Sequence, residues 1–62
     1  MLSMQLGDLV YDSHFSQFGI VVETEKMFNE CGEWCVIIYD DGSEVKGIRS
    51  WEETIEVINA SR

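Results

Sequence analysis

The residues most suited to acid–base or nucleophilic chemistry lie together near the N-terminus. His14 stands between Ser13 and Ser16, and Asp12 comes immediately before them. A hydroxyl, an imidazole and a carboxylate are the groups that a nucleophile and its general base require. Catalysis also requires that such groups be held rigidly beside donors for an oxyanion, and one polar loop supplies neither. We therefore expect no enzymatic activity and no bound cofactor.

Two thiols, Cys31 and Cys35, lie on either side of a predicted turn. Together with the single His14 they fall short of the four ligands of a structural zinc ion, and no second cysteine pair follows. A disulfide is conceivable if the turn is tight, whereas an intracellular setting favours free thiols, which behave as small buried hydrophobic groups. We expect free thiols and no metal at these cysteines.

Three carboxylates, Asp40, Asp41 and Glu44, cluster at a predicted turn. Such oxygens can hold a hard cation weakly, but a calcium site needs at least about six oxygen ligands, and the spacing is not that of an EF-hand. Aspartate also favours turns because its side chain bonds to its own backbone. Turn formation alone therefore accounts for this cluster.

Aromatic side chains are numerous for so short a chain. An aromatic cage can hold a methylated cation, which surrounding carboxylates would favour, but it needs three rings around one cavity. Packing in the core is the simpler interpretation of these residues. The five that we consider are Tyr11, Phe15, Phe18, Trp34 and Tyr39.

The elements that position these side chains are predicted to be short β-strands. Apolar runs bounded by turn-forming residues predict strands over 9–11, 18–26, 34–39 and 44–49. Residues 40–43 predict a tight hairpin turn, because Gly42 can adopt positive φ. Ser50 and Glu53 match a capping box, which predicts one helical turn before a closing strand over 54–59. A helix over 51–59 is the alternative for this last segment.

Length and composition restrict the class of protein. The chain has 62 residues, 12 acidic and 4 basic side chains, a net charge of −8 and 45% hydrophobic residues. It is too apolar for a disordered acidic tail, and we predict one domain over 1–62, with an N-terminal extension over 1–6 and a C-terminal tail over 60–62. No apolar run approaches the roughly 20 residues of a membrane span, and no basic leader is present. We expect a cytoplasmic protein that does not contact membranes.

The order of these elements resembles that of small five-stranded SH3-like barrels. The Gly-Asp-Leu-Val motif at 7–10 and the Gly-Ile-Val motif at 19–21 resemble the start of a KOW or Tudor-type barrel. Residues 40–42 and 56–58 match its later hairpin and closing strand. From 7 to 59 the chain is similar to small uncharacterised barrel proteins of tailed bacteriophages. The resemblance implies an SH3-like barrel with a short helical turn before the last strand, and a phage-encoded protein of the host cytoplasm.

The charge pattern departs from that of barrels that bind nucleic acid. KOW modules that contact nucleic acid use basic loops, whereas Asp12, Glu23 and Glu25 flank the first predicted hairpin here and Lys26 is the only nearby base. A polyanion would be repelled by a domain of net charge −8. We therefore expect no direct binding of DNA or RNA.

The predicted strand over 34–39 is apolar on both faces. Because side chains alternate, either Val36 and Ile38 or Ile37 and Tyr39 point away from the interior. A barrel of this size has no second layer to cover the outer set, which predicts an apolar patch that seeks a protein surface. The residues that we predict as anchors of this patch are Val21, Ile37, Tyr39 and Trp51. In the alternative interpretation the chain covers the patch itself with Leu2, Met4, Leu6, Met27 and Phe28.

These features together predict a small acidic protein-interaction module without enzymatic activity. It would dock through the apolar face of its second and third strands on a host protein, a virion protein or a second copy of itself. An acidic rim would select a basic partner and speed the encounter. The alternative is a nucleic-acid mimic that inhibits a DNA- or RNA-binding protein, with these carboxylates replacing phosphates: Asp12, Glu23, Glu25, Glu30, Glu33, Asp40, Asp41 and Glu44.

Overall fold

The computed structural model describes residues 4–26 and 32–59, and these form one antiparallel β-sheet. Its strands are β1 (Leu9–Asp12), β2 (Gln17–Lys26), β3 (Glu33–Tyr39), β4 (Glu44–Arg49) and β5 (Ile55–Asn59). Their order is β4-β3-β2-β1-β5, so β4 and β5 are the edges and the sheet is not closed into a barrel. The predicted all-β class is confirmed. The part of the chain described here holds no helix of the length and apolarity needed to cross a membrane.

The hairpin between β3 and β4 forms where the turn residues predict it. The Gly42 N–H donates to the Tyr39 carbonyl over 2.9 Å, and Gly42 has a φ of +87°. The Asp41 carboxylate accepts hydrogen bonds from the backbone N–H and the hydroxyl of Ser43, at 2.9 and 2.6 Å. The residues that predict this hairpin therefore also make its hydrogen bonds.

The strand β2 contains a bulge that resets the alternation of its side chains. Its pairing with β3 shifts between Val21 and Glu23, which leaves Val22 as the extra residue. Val21 is buried, whereas Val22 and Glu23 are both exposed. A bulge bends its strand and increases the local twist, so this position curves the ten-residue strand around the core.

A second bulge lies on the edge strand β4. The pairing of β4 with β3 shifts so that Lys46 and Gly47 together lie opposite Val36. Gly47 has a φ of +77°, in the left-handed region that costs other residues roughly 1–2 kcal/mol. Glycine is therefore the favoured residue at this bulge because of its backbone conformation.

The core occupies one face of the sheet and combines residues from four strands and the N-terminal segment. Val45, Ile48 and Val57 pack against it and are partly buried. Met4, which precedes β1, is almost fully buried and belongs to this folded core. The buried apolar residues are Met4, Val10, Val21, Cys35, Ile37, Tyr39 and Ile55.

The segment between β4 and β5 consists of turns. The Glu52 N–H donates to the Arg49 carbonyl over 3.1 Å, and the Ile55 N–H donates to the Glu52 carbonyl over 3.2 Å. Ser50, the predicted helix cap, is buried, and its N–H donates to the Glu33 carbonyl over 2.9 Å. The first two are local bonds between residues three apart and the third is a tertiary bond, and the segment forms turns rather than the predicted helical turn. The closing strand is confirmed as β5, and the alternative helix over 51–59 is wrong.

Two glycine substitutions are expected to destabilise the fold by different amounts. A Cβ at Gly19 would lie 2.6 Å from Cγ2 of the buried Ile37, so Gly19→Ala forces the core to shift and costs roughly 1–3 kcal/mol. A Cβ at Gly47 meets no atom within 4 Å, and Gly47→Ala therefore costs only the φ strain, roughly 1 kcal/mol. Urea denaturation of both variants measures the two losses. A larger loss for Gly47→Ala would contradict this account.

Candidate functional site

The outer face of β1, β2 and β3 carries a continuous group of apolar side chains. Cα pairing places Leu9 opposite Ile20, and Ile20 opposite Ile38, which forms a row across three strands. Phe18 and Val22 flank Ile20 along β2 and are exposed on the same side. We call this group the outer patch; it consists of Leu9, Phe18, Ile20, Val22 and Ile38.

The outer patch is open to solvent. Phe18 and Ile20 each keep 48% of their surface exposed, and Val22 and Ile38 each keep 40%. The patch lines a shallow groove of about 300 Å³ that reaches Asp40 at one end. Single exposed apolar side chains are ordinary, but a contiguous group of them is typical of an interaction surface.

Carboxylates lie around the outer patch. Cα pairing places Glu44 beside Ile38 on one side, and on the other side Glu56 lies beside Tyr11, the next outward-facing residue of β1. Glu23 follows Val22 after the bulge and is exposed. Together with Asp40, these side chains form what we call the acidic rim: Glu23, Asp40, Glu44 and Glu56. The outer patch is thus an apolar centre surrounded by negatively charged side chains.

Three of the four predicted anchors lie on the opposite face of the sheet. Val21, Ile37 and Tyr39 are 1%, 0% and 3% exposed and belong to the core, so the expectation that they point outward is wrong. Trp51 is partly buried, and its ring lies so close to Gly32 that a Cβ there would overlap it. An uncovered apolar face does exist, but it is built from the opposite set of side chains.

Gly19 explains which set points inward. It pairs with Tyr39, and a Cβ at this position would lie 2.6 Å from Ile37 Cγ2 and 3.2 Å from Tyr39 Cδ1. The absence of a side chain therefore makes room for two large core residues of β3. A glycine within an apolar strand is the signal in the sequence that marks this face as the crowded one.

The residues that the alternative interpretation uses as a cover have different positions. Met4 packs into the core, and Leu6 keeps 61% of its surface exposed. Leu2, Met27 and Phe28 lie outside the described residues. No residue between 4 and 26 or between 32 and 59 buries the outer patch, since four of its members stay at least 40% exposed.

Asp12 and Tyr39 form a buried hydrogen-bonded pair on the inner face. The Tyr39 hydroxyl donates to Asp12 Oδ2 over 2.6 Å. Asp12 Oδ1 accepts from the backbone N–H groups of His14 and Phe15, at 2.9 and 3.3 Å. Burial, and then the hydrogen bond to Asp12, raise the pKa of Tyr39 above its ordinary value. The carboxylate thus ties the β1–β2 loop to β3.

The hydrogen bonds described for Ser13 and His14, the candidate nucleophile and base, are bonds that hold the loop. The Ser13 hydroxyl donates to the Thr54 carbonyl over 3.0 Å. The hydrogen bond that His14 makes to Asp12 comes from its backbone N–H. The first bond joins the loop to the turn before β5, and the second joins the loop backbone to the Asp12 side chain, so both help to hold the loop in place.

Of the two cysteines, Cys35 is described and Cys31 lies outside the described residues. Cys35 is fully buried as a free thiol, and burial raises its pKa, with the nearby carboxylate charges adding to the effect. A protonated, buried thiol is unreactive and packs as a small hydrophobic group. Its position matches the prediction for a core cysteine.

The five aromatic residues are divided between different surfaces. Tyr11 and Phe18 form an edge-to-face pair on the outer side, with ring centroids 4.9 Å apart. Phe15 and Tyr39 form another pair at 6.0 Å on the inner side. Trp34 lines a separate cavity near the start of β3. The described geometry therefore does not gather three of these rings around one cation.

The carboxylates of the β3–β4 turn serve the turn itself. Hydrogen bonds from Ser43, and secondarily from Gln17, lower the pKa of Asp41 to about 2. Over the described residues, no group of three His, Cys, Asp or Glu side chains is arranged to hold a metal ion. The outer patch with its acidic rim remains as the candidate functional site.

Comparison with protein-family models, with curated proteins and with solved structures finds no significant match for this chain.

The hydrogen bond from Tyr39 to Asp12 is expected to contribute to stability. Tyr39→Phe removes one donor from a buried carboxylate, which should lower the free energy of unfolding by roughly 1.5–3 kcal/mol. The raised pKa of Tyr39 adds a pH dependence: above pH 10 the unfolded chain loses the Tyr39 proton while the folded chain retains it. This contribution is complete below pH 10 and is lost as the pH rises further.

Urea denaturation between pH 7 and 11 measures both effects, with Tyr11→Phe as the matched control because Tyr11 is partly exposed on the outer face. We expect the wild type and Tyr11→Phe to lose stability above pH 10 more steeply than Tyr39→Phe. Equal slopes for the two phenylalanine variants would contradict the assignment.

The Asp41 carboxyl is expected to titrate near pH 2, which carbon-detected NMR of its side chain measures. Its stabilising effect is present above pH 3.8 and is lost as the pH falls through 2. Ser43→Ala removes the largest cause and should raise the pKa of Asp41 towards 3.8, while Gln17→Ala should raise it less. A larger effect for Gln17→Ala would show that the hydrogen bonds are assigned in the wrong order.

Proposed function

We propose that this chain is a non-enzymatic interaction module that binds another protein through the outer patch. The observation that carries the proposal is the combination of a contiguous outward-facing apolar row, Leu9, Ile20 and Ile38, with carboxylates on both sides of it. An apolar centre supplies most of the affinity of a protein interface, while charges at the rim select the partner. The partner is a protein whose apolar surface is flanked by Lys or Arg.

The acidic rim disfavours a second copy of the chain as the occupant. Two identical faces in contact would bring like-charged rims together, at a net charge of −8 per chain. The rim also supports docking over nucleic-acid mimicry, because its carboxylates surround apolar groups. Asp12, one of the proposed phosphate surrogates, is buried against Tyr39, and Glu30 lies outside the described residues.

An SH3-like fold and a phage origin belong to this proposal. The order β4-β3-β2-β1-β5, in which the last strand adds beside the first, supports an SH3-like interpretation of the open sheet. The phage origin rests on the resemblance of the sequence to small phage barrel proteins. In that case the partner is a virion protein or a host protein of the bacterial cytoplasm.

The test is affinity capture from the cells that produce the chain, with three baits compared by quantitative mass spectrometry. Ile20→Ser removes the centre of the outer patch, and Phe15→Ser is its control, since Phe15 is similarly exposed, at 54% against 48%, but lies on the loop after β1. We expect a basic partner to be retained by the wild type and by Phe15→Ser and reduced at least tenfold with Ile20→Ser.

The circular dichroism spectrum of each bait verifies that it is folded, and light scattering determines its oligomeric state. We expect a monomer in all three cases. Equal recovery of every captured protein by the two serine variants would refute docking through the outer patch. A wild-type dimer that Ile20→Ser dissociates would replace the proposed partner with a second copy of the chain.

A further inference from the structure

We infer that the occupant of the outer patch is a basic amphipathic α-helix of the partner protein, an inference that rests on the proposed function. Three observations carry it: the hydrogen-bonding state of the backbone beneath the patch, the dimensions of the patch, and the positions of the carboxylates on its two sides.

The backbone beneath the outer patch is already hydrogen-bonded. β1 lies between β5 and β2, β2 lies between β1 and β3, and β3 lies between β2 and β4. These interior strands use their N–H and C=O groups in the ladders on both sides. The patch therefore offers a partner apolar side chains and few hydrogen-bonding groups.

An occupant of such a surface must satisfy its own backbone. An extended peptide pressed against the patch would bury N–H and C=O groups without partners, which is costly. An α-helix bonds its N–H and C=O groups internally and presents only side chains. The surface chemistry of the outer patch therefore favours a helix over an extended segment.

The dimensions of the outer patch fit one face of a short helix. The row from Leu9 to Ile38 crosses three strands, or about 10 Å, and the run from Phe18 to Val22 extends about 13 Å along β2. A helix is about 10–12 Å wide and rises about 1.5 Å per residue, so roughly nine residues cover this length. Apolar residues at i, i+3, i+4 and i+7 would fill the groove.

The carboxylates around the outer patch indicate which side chains the helix carries on either side of its apolar face. Glu44 borders the patch beyond Ile38 on the β4 side, and Glu56 lies on β5 on the opposite side. Asp40 stands at one end of the groove. A helix lying on the patch would therefore have carboxylates along both of its edges, which favours Lys or Arg on either side of its apolar stripe.

Three synthetic peptides of equal length test the inference by fluorescence anisotropy with the full chain. The first is a helix of Leu and Lys with Leu at i, i+3, i+4 and i+7. The second has Glu in place of Lys, and the third has the composition of the first but alternates Leu and Lys at the period of a strand. We expect the Leu–Lys helix to bind at least tenfold more tightly than either of the others.

Variants of the chain locate the binding site. Ile20→Ser should weaken binding of the Leu–Lys helix at least tenfold, while Phe15→Ser should change it less than twofold. Glu44→Gln should weaken it about threefold at low salt and less at high salt, because rim charges are screened. Glu53→Gln, an exposed carboxylate on the turn before β5, is the matched control and should have a smaller effect.

The outcomes separate this inference from the proposed function. Equal binding of the helical and alternating Leu–Lys peptides, or binding that Ile20→Ser leaves unchanged, overturns the helix assignment. If Ile20→Ser still abolishes capture of a protein partner in that case, docking through the outer patch stands with a different occupant. If neither peptide binding nor capture depends on Ile20, both proposals fall.

Discussion

The central strands of the structure are apolar on both faces, but a single sheet has a core on only one of its faces. The side chains of the other face therefore stay exposed. Ile37 and Ile38 are neighbours in the chain, and one is fully buried while the other keeps 40% of its surface exposed. Burying a side chain of this size is worth roughly 1.5–3 kcal/mol, so each outward-facing residue leaves a substantial part of that free energy unused. The outer patch consists of these outward-facing residues, whose apolar surface is not buried.

Much of the fold follows from local patterns in the sequence. The turn at 40–43 could be predicted because Asp41 and Gly42 supply the required bonds and backbone conformation themselves. The face of β3 that points inward could not be predicted from alternation alone, because Val36 and Ile38 are as apolar as Ile37. The decisive residue, Gly19, lies on a different strand and acts through contact across the ladder.

The remaining differences from expectation also arise from tertiary contacts. The capping-box pattern at Ser50 is a valid local signal, but the backbone of Ser50 bonds to Glu33 and Met4 instead of starting a helix. Likewise, the bulge at Val22 leaves no mark in the pattern of residue types, since valine suits either face of a strand. The composition predicts that some apolar surface stays uncovered. Which residues form that surface depends on the register of the strands.

The same register assigns Asp12 a structural role. A carboxylate beside a histidine and serines suggests proton transfer, yet here it accepts hydrogen bonds from Tyr39 and from the backbone of the next turn. The loop between β1 and β2 is thereby joined to β3 below the sheet, while the outer patch lies above it. If the proposed function holds, folding and recognition use opposite faces of the same three strands.

The bulge on β4 has a consequence for the behaviour of the chain at high concentration. A straight, exposed edge beside an apolar face is the geometry from which chains stack into fibrils. Lys46 and Gly47, the two adjacent residues of the bulge, interrupt the β4 edge with a kink and a positive charge. An incoming strand therefore finds no continuous ladder to extend. The β4 edge of the sheet is thus a poor template for polymerisation, even though an exposed apolar face lies beside it.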